Sequence, residues 1–318
     1  MTESNESTNG HLMLDIHRLR LLRELKHRGT LSAVAAALSY NPSTISQQLS
    51  LLETEVGAQL LEPVGRKVRL TPQAEVLVAH AELILQQMER AEADVAAMQS
   101  EVVGTVRVAT FQTAAHSLIL PALAVLQDSH PQLQVHISHL SAERALPAVL
   151  ARDFDLVLAE EFPGQPAPRL EGLEHVPLGR DPLRLTLPKS PETADVRSAL
   201  RSHEHYPWVM EPEGTPARQW AVALCREAGF EPNVQFESID LQWHVDLVVG
   251  GHAAALLPDL VWRGRPPGVR LLSLGHPHRT IFTASRAGSS GNPGVAGVRS
   301  ALAAAAQQVG LQTSSGTI

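Results

Sequence analysis

Four residues of one short segment carry side chains that could contact the edges of nucleic-acid bases. Ser43, Gln47, Ser50 and Thr54 are polar and uncharged, and their spacing places them on one face of a helix. Hydroxyl groups can hydrogen-bond base edges, and a Gln side chain can pair bidentately with adenine in the major groove. The alternative is the solvated face of an ordinary amphipathic helix, which periodicity alone does not exclude.

Two basic clusters flank this polar face along the chain. The 318 residues have a formal net charge of -7, but residues 14–72 hold eight Lys and Arg against five Asp and Glu. Five of these cations lie within residues 18–28, and the other three are Arg66, Lys67 and Arg69. Basic side chains on either side of a neutral surface are expected for phosphate contacts around a base-reading element. The overall acidity therefore does not exclude a nucleic-acid partner.

Two short helices precede the polar face. The first is predicted over residues 16–28, because leucines recur at helical spacing before a basic last turn and a glycine. Ser32 can cap a short Ala-rich second helix. Asn41 as N-cap and Pro42 at the first helical position then predict a third helix, which ends at Gly57.

The third helix carries an apolar stripe opposite its polar face, and a hairpin follows it. Ile45, Leu49, Leu52 and Val56 are spaced four, three and four residues apart, so they predict a face that packs inward. The segment LLEPVGRKVRL can then turn around Gly65, which would place its three cations beside a sugar-phosphate backbone. Two helices, a tight turn and a hairpin in this arrangement predict a winged helix-turn-helix.

The stretch from Met13 to Pro72 resembles the N-terminal domain of LysR-type transcriptional regulators. The resemblance rests on five elements: the leucine-rich first helix, the AAA helix, the STISQQLSLLE helix with its closing Glu53, the pair Val56-Gly57, and the wing that ends in Leu70-Thr71-Pro72.

The chain also departs from that family's pattern. Family members usually have Arg at the positions of Gln47 and Pro63, and an Ala-Gly pair after the Leu-Thr-Pro where this chain has Gln-Ala. The resemblance implies that Ser43, Thr44 and Gln47 face the major groove of double-stranded promoter DNA and that Arg66 contacts its backbone.

A long helix is predicted after the wing. Thr71 as N-cap and Pro72 open it, and no further Pro or Gly occurs before Gly104. About thirty residues would make a rod of roughly 45 Å. Its apolar residues recur at alternating spacings of four and three, which indicates a heptad seam. The seam comprises Leu77, Ala81, Ile84, Met88, Ala91, Val95, Met98 and Val102.

The seam predicts association of two copies of the chain. A lone helix would expose this stripe to water, and six acidic residues against Arg90 keep residues 73–102 away from DNA. The alternative is a core helix of a larger domain, since Ala also suits close packing within one chain. In LysR-type regulators the equivalent helix pairs across a dimer, so the resemblance implies a dimer or a dimer of dimers.

Strands and helices alternate from Gly104 onwards. Such alternation predicts a parallel sheet with right-handed crossovers. Two alternating units with chain crossings near residues 161–180 and 270–282 describe a two-lobed binder of small molecules. The predicted domains are a winged helix-turn-helix over 14–72, a linker and dimerisation helix over 73–103, and a two-lobed α/β effector-binding domain over 104–310.

Candidate ligand-binding residues follow the predicted strands. In open α/β sheets ligands bind beyond the carboxyl ends of the strands, where helix N-termini point donors inward. LysR-type effector domains bind their small molecule in the matching cleft between the lobes. Free N–H groups and hydroxyls favour a carboxylate, carboxylates favour a cationic group, and an amino acid would satisfy both. Each residue could instead be a plain helix cap. The candidates are Gln112, Thr113, Ser141, Glu160, Gly214 and Thr215.

No segment has the pattern of a catalytic, metal or cofactor site. The sequence lacks GxSxG, a Walker lysine motif, CxxC, and GxGxxG after a strand. Its histidine pairs do not have the spacing of a zinc site, and one cysteine, Cys225, cannot form an intramolecular disulfide. There is no apolar run long enough for a membrane span and no signal peptide, so the expected location is the cytoplasm.

These patterns together predict a regulator rather than an enzyme. The expected function is sequence-specific DNA binding under the control of a small-molecule effector, without a cofactor. The competing class is a small-molecule-binding protein or an enzyme with an incidental N-terminal helical domain.

Overall fold

A computed structural model describes residues 14–65, 67–99, 101–188, 196–264 and 268–312. The chain forms two compact units, one over residues 1–92 and one over residues 93–318. The first is a helical domain with a two-stranded wing, and the second is an α/β domain, as the sequence predicts. None of the helices described in these ranges is long and apolar enough to cross a membrane.

Three helices precede the wing in the first unit, and their caps explain their limits. Asp15 caps the first by accepting from the amides of His17 and Arg18. The expectation that Ser32 caps the second is wrong, because Thr30 Oγ1 accepts from the Ala33 amide over 3.1 Å and Ser32 lies inside the first turn. The helices are α1 (Ile16–Arg28), α2 (Leu31–Leu38) and α3 (Pro42–Val56).

The apolar stripe of α3 packs into the core of this unit. Ile45, Leu49 and Leu52 are fully buried and meet the leucines of α1, including Leu22 and Leu25. The strands β1 (Leu61–Val64) and β2 (Lys67–Leu70) then pair antiparallel as the predicted hairpin. Gly65 forms its turn with a φ of 62°, a left-handed conformation that glycine adopts without strain.

The long helix α4 (Pro72–Ala97) starts where the sequence predicts and stops earlier. Thr71 Oγ1 accepts from the amide of Ala74, and the helix ends at Ala97 rather than near Gly104. At 1.5 Å per residue, its 26 residues extend about 39 Å.

α4 has two apolar faces rather than one. Val78 and Ala81 are buried in the core of the first unit, so Ala81 is not available to the predicted seam at that end. The later seam positions Ile84, Met88 and Val95 are exposed, by 40%, 40% and 64%.

The second unit contains a six-stranded sheet with the order β4-β3-β5-β10-β6-β9. Its first three strands are parallel, as predicted, but β10 runs antiparallel to both β5 and β6. The prediction of a parallel sheet therefore holds for the first three strands of this sheet only. The strands are β3 (Gly104–Thr110), β4 (Leu133–His139), β5 (Leu156–Glu161), β6 (Leu173–Leu187), β9 (Ala255–Pro258) and β10 (Arg270–Arg286).

The two longest strands, β6 and β10, pass from one lobe to the other. They pair along most of their length, with a register shift between Ser273 and His278. The second lobe adds β7 (Pro207–Met210) and β8 (Asn233–Glu237), which pair parallel, and a bridge from Trp208 to Ala254 continues this sheet.

Helices cover both lobes. In the first lobe, α6 and α11 pack together over one apolar core and α7 packs over another, while the second lobe has its own two cores around α9 and α10. The helices are α5 (Gln112–Ala114), α6 (Leu120–Ser129), α7 (Ala142–Leu150), α8 (Val196–Ser202), α9 (Pro216–Glu227), α10 (Leu241–Val249) and α11 (Pro293–Gln308), with a π-helix over Ala115–Ile119 and a 3-10 helix over Asp259–Trp262.

Candidate functional site

The outer face of α3 is an exposed, uncharged polar surface. Ser43, Gln47, Ser50 and Thr54 are all exposed, and Thr44 beside them is partly buried. Because the opposite stripe is buried in the core, the orientation of α3 about its own axis is fixed. In this orientation the four side chains point outward. The surface offers hydroxyl and amide groups of the kind that read base edges.

Ion pairs and hydrogen bonds hold α3 against its neighbours. The Glu53 carboxylate accepts from the amides of Leu60 (2.8 Å) and Leu61 (3.0 Å), which fixes the start of the wing relative to the end of α3. Arg18 of α1 donates to Gln48 over 3.1 Å and pairs with Glu55. The polar face and the wing are therefore parts of one rigid framework.

Arg69 is the wing cation whose side chain the structure describes. Arg69 lies opposite Glu62 in the hairpin register, pairs with it at 2.8 Å, and keeps 71% of its side chain exposed. An exposed pair of this kind contributes little to stability, so Arg69 can exchange Glu62 for a phosphate at low cost. Arg66 lies outside the described residues, and of Lys67 the structure describes only the backbone, at the start of β2.

Gln112 connects the two lobes of the second unit. Its side-chain amide donates to the Asp240 carboxylate over 2.6 Å, and its carbonyl oxygen accepts from the Leu241 amide over 2.9 Å. Asp240 is the N-cap of α10 in the second lobe, while Gln112 begins α5 in the first. The hydrogen bond from Gln112 lowers the pKa of Asp240.

A buried arginine lies next to Gln112 and organises two of the predicted residues. Arg279 of β10 is fully buried and donates to Thr113 Oγ1 over 2.7 Å. It also pairs with Glu160 at the end of β5 and with Asp181 of β6, at 2.7 Å for Asp181. Thr113 and Glu160 are therefore held in one cluster, as expected for residues at the carboxyl ends of adjacent strands.

Carboxylates outnumber cations around this cluster. Burial, with a smaller contribution from the nearby Glu160, raises the pKa of Glu211 to about 7 against the opposing effect of Arg279. Burial likewise raises the pKa of Glu160. Glu143 of α7 acts in the same direction on both carboxyls. One guanidinium thus faces more acidic groups than it can neutralise.

The other predicted ligand residues lie at or just before the N-termini of two helices, α7 and α9. Thr215 caps α9 by accepting from the Arg218 amide over 3.3 Å, and its hydroxyl donates to the Pro212 carbonyl over 2.9 Å. Gly214, exposed at a φ of 88°, turns the chain into that cap. Ser141 begins α7 without capping it through its side chain.

Sequence reasoning missed the central member of the cluster. Arg279 pairs with residues 98 and 119 positions away, so no local pattern indicates it. The available signal was a charged residue next to the apolar run of a strand, since a buried cation requires a buried partner.

A cavity of about 310 Å³ opens beside Gln112 and Thr113. Its volume lies within the range of small-ligand sites. Residues of both lobes line it, and some of them belong to the π-helix, a distortion of the α-helix that is frequent at functional sites. The remaining lining residues are His116, Ser117, Leu241, Gln242, Leu260, Val261 and Arg263.

The described residues contain neither a metal-binding cluster nor a reactive thiol. In these ranges no group of three or more His, Cys, Asp or Glu side chains could hold a metal ion. Cys225 is the one cysteine of the sequence, and burial raises the pKa of its thiol to about 12. A neutral, buried thiol is a poor nucleophile.

Both units match known protein families. Residues 16–75 match the bacterial regulatory helix-turn-helix protein, lysR family, and residues 99–307 match the LysR substrate binding domain. The transcriptional dual regulator GltC of Bacillus subtilis (strain 168) is 26% identical over 259 residues, which are 80% of this chain and 84% of GltC. A probable hydrogen peroxide-inducible genes activator of Mycobacterium avium is 26% identical over 243 residues, 76% of each chain.

Solved structures share the fold over nearly the whole chain. A full-length variant of OxyR from Pseudomonas aeruginosa superposes with a TM-score of 0.66 at 21% identity, covering 91% of this chain and 95% of that one. Full-length CbnR, solved in complex with its target DNA, gives a TM-score of 0.51 at 21% identity, covering 92% and 99%.

The family matches decide between the two classes that the sequence leaves open. The alternative, a binding protein or an enzyme with an incidental N-terminal domain, is wrong, because that domain itself matches a helix-turn-helix family of regulators. The relatives are transcriptional regulators and not enzymes. The chain belongs to the LysR family of transcriptional regulators, with an N-terminal helix-turn-helix domain and a C-terminal effector-binding domain.

Proposed function

We propose that α3 reads the base sequence of promoter DNA while the wing holds its backbone. Ser43, Thr44 and Gln47 are assigned to the major groove. The phosphate contacts are assigned to Arg66, Lys67 and Arg69. The observation that supports this division is the exposed, uncharged face of α3, joined through Glu53 to a wing that carries the cations. Neutral polar groups discriminate between bases, whereas cations bind every phosphate alike.

We propose that the effector binds between the lobes of the second unit. The residues assigned to it are Gln112, Thr113, Ser141, Glu160, Gly214 and Thr215. The supporting observation is that Gln112 of the first lobe hydrogen-bonds the start of α10 in the second, beside a cavity of suitable size that Gln112 and Thr113 line. A ligand there can change DNA binding only if it favours one lobe or subunit arrangement over another.

The charge of this cluster favours an effector that carries an ammonium group. Glu160 and Glu211 face a single guanidinium, so a second cation would be stabilised there. A carboxylate on the same molecule could accept from the N–H groups at the start of α9, next to Thr215. An amino acid or a closely related amine is therefore the class we propose.

We further propose that two copies pair through the exposed seam of α4, in a dimer or a dimer of dimers. Ile84, Met88 and Val95 support this, because exposed apolar side chains at heptad spacing lower their free energy by packing against a second helix. The protein would act in the cytoplasm, where promoter DNA is found.

An electrophoretic mobility-shift experiment tests the regulator directly. The full chain is titrated onto its own promoter region and onto a scrambled fragment across a salt series. We expect tight, selective retardation that weakens as salt rises, since neutralised phosphates release counterions. Absence of retardation at low salt would overturn the assignment. Adding amino acids singly to the same titration tests the effector class, because the effector must shift the binding curve.

A further inference from the structure

A larger cavity lies where the chain passes from the first lobe to the second. Its volume is about 790 Å³, and it shares no lining residue with the cavity beside Gln112. Three segments line it: residues 161–166, which begin at the last residue of β5, one face of α9, and residues 276–278 with Thr280 of β10. The candidate effector residues do not line it, so the proposed function gives it no role.

Features of the backbone create this space. Gly164, at a φ of 72°, turns residues 162–165 back on themselves, and a bridge between Phe162 and Gln165 closes that turn. On the opposite side, the register shift between Ser273 and His278 moves the intervening residues out of the β6–β10 ladder. The cavity is thus built into the strand crossing and is not a gap between mobile side chains.

The walls are aromatic and rigid. The rings of Trp220 and Phe162 lie with their centroids 6.2 Å apart, and both side chains belong to the core of the second lobe. Three prolines, Pro163, Pro166 and Pro277, also line the cavity, together with Ala223 and Leu224 of α9. Rigid rings can bind an apolar ligand with little loss of side-chain entropy.

The charged groups at the cavity are acidic. Among the described residues that line it, none is Lys or Arg, while Glu161 and Glu227 both contribute. Glu161 is paired with Arg169 at 2.5 Å. Glu227 lies exposed on α9, on the same side of the helix as Trp220. Two histidines, His276 and His278, complete the polar lining on the β10 side.

We propose that this cavity binds a hydrophobic organic cation. The indole of Trp220 provides the best aromatic face for a cation, and Glu227 provides the countercharge. The occupant contacts α9 in the second lobe and the crossing strand β10 together. It therefore forms a second ligand site, separate from the cavity beside Gln112 and Thr113.

The test compares two probes of the same size and shape but opposite charge. Tetraphenylphosphonium and tetraphenylborate are titrated into the full chain by calorimetry in potassium-free buffer. We expect saturable binding of tetraphenylphosphonium and at least tenfold weaker binding of tetraphenylborate. Equal affinity of the two ions, or no binding of the cation, would overturn the proposal.

Substitutions locate the site. Trp220→Leu should weaken tetraphenylphosphonium binding about tenfold, and Trp220→Phe should restore part of it. The exposed Glu227→Gln should weaken binding about threefold without affecting the fold, so it decides the matter if Trp220→Leu does not fold. Trp243→Leu and Glu213→Gln, which replace residues elsewhere in the second lobe, are the matched controls. An unchanged affinity in Glu227→Gln, or a loss only in Glu211→Gln, would place the cation elsewhere and contradict the proposal.

Discussion

Arg279 and Asp181 form an ion pair that is buried between the two strands joining the lobes. Arg279 Nε and Nη2 lie 2.9 and 2.7 Å from one carboxylate oxygen, and each side chain is only 1% exposed. The other oxygen of Asp181 accepts from the amide of Leu260. β6, β10 and the 3-10 helix are therefore fixed to one another at the point where the lobes meet.

Removing Arg279 should destabilise the second unit strongly. Arg279→Met leaves two buried carboxylates without a cation, and breaking such a buried pair costs about 3–5 kcal/mol. All four tryptophans of the sequence lie in this unit, so their fluorescence during urea unfolding reports its stability. Arg169→Met, at a side chain that is 58% exposed, is the control and should cost less than about 1 kcal/mol. Similar losses in both variants would mean that Arg279 does not organise the crossing.

Glu211 should make the stability of this unit depend on pH. Its pKa is about 7 in the folded chain against 4.5 as the ordinary value, so the native state binds the proton more tightly. The contribution of Glu211 to the free energy of unfolding is fully present below pH 4.5. It is lost as the pH rises to about 7 and the carboxyl loses its proton in the folded chain. Above that range, Glu211→Gln should raise the free energy of unfolding by up to about 3 kcal/mol.

The pH effect has a matched control. Glu213→Gln changes an exposed neighbour and should leave the difference between pH 4.5 and pH 8 as in the unsubstituted chain. A Glu211→Gln variant with the same pH profile as the unsubstituted chain would show that this carboxyl is not buried beside Glu160.

Ile84→Asp should dissociate the proposed dimer. An aspartate at a seam position would be buried against the second helix without a partner, which a two-stranded coiled coil does not tolerate. Sedimentation velocity should show half the mass of the unsubstituted chain. Val76→Asp introduces the same charge at an exposed position of α4 outside the seam, 62% exposed against 40% for Ile84, and the mass of that variant should not change. An unchanged mass for the Ile84→Asp variant would show that the seam does not form the interface.

The elements that the sequence predicts well are those whose causes are local. Helix α3 follows from an N-terminal proline, a four-three-four apolar spacing and Gly57, all within sixteen residues. The use of Ala81 does not follow from the sequence, because one apolar pattern serves two faces of α4 and only the fold shows which residues the first unit buries.

Long-range pairing limits prediction of the cleft. Strand termini indicated Gln112, Thr113 and Glu160, since ligands gather at the carboxyl ends of parallel strands. β10 lies antiparallel between β5 and β6 and so brings Arg279 to these residues. The spacing of residues near Arg279 does not predict this pairing. The partner of Gln112 is likewise 128 residues away.

Selection of binding sites from a randomised operator library tests most directly whether α3 reads bases and the wing holds phosphates. The unsubstituted chain, Gln47→Ala and Arg66→Ala are compared on the same library and across the same salt series. Gln47→Ala should lose preference at one position of each half-site, by about 1–3 kcal/mol, with an unchanged salt slope. Arg66→Ala should keep the base preferences, weaken binding to all sequences about equally, and reduce the salt slope by about one. If both variants changed the same base preferences, or both changed only the salt slope, the division of roles between α3 and the wing would be wrong.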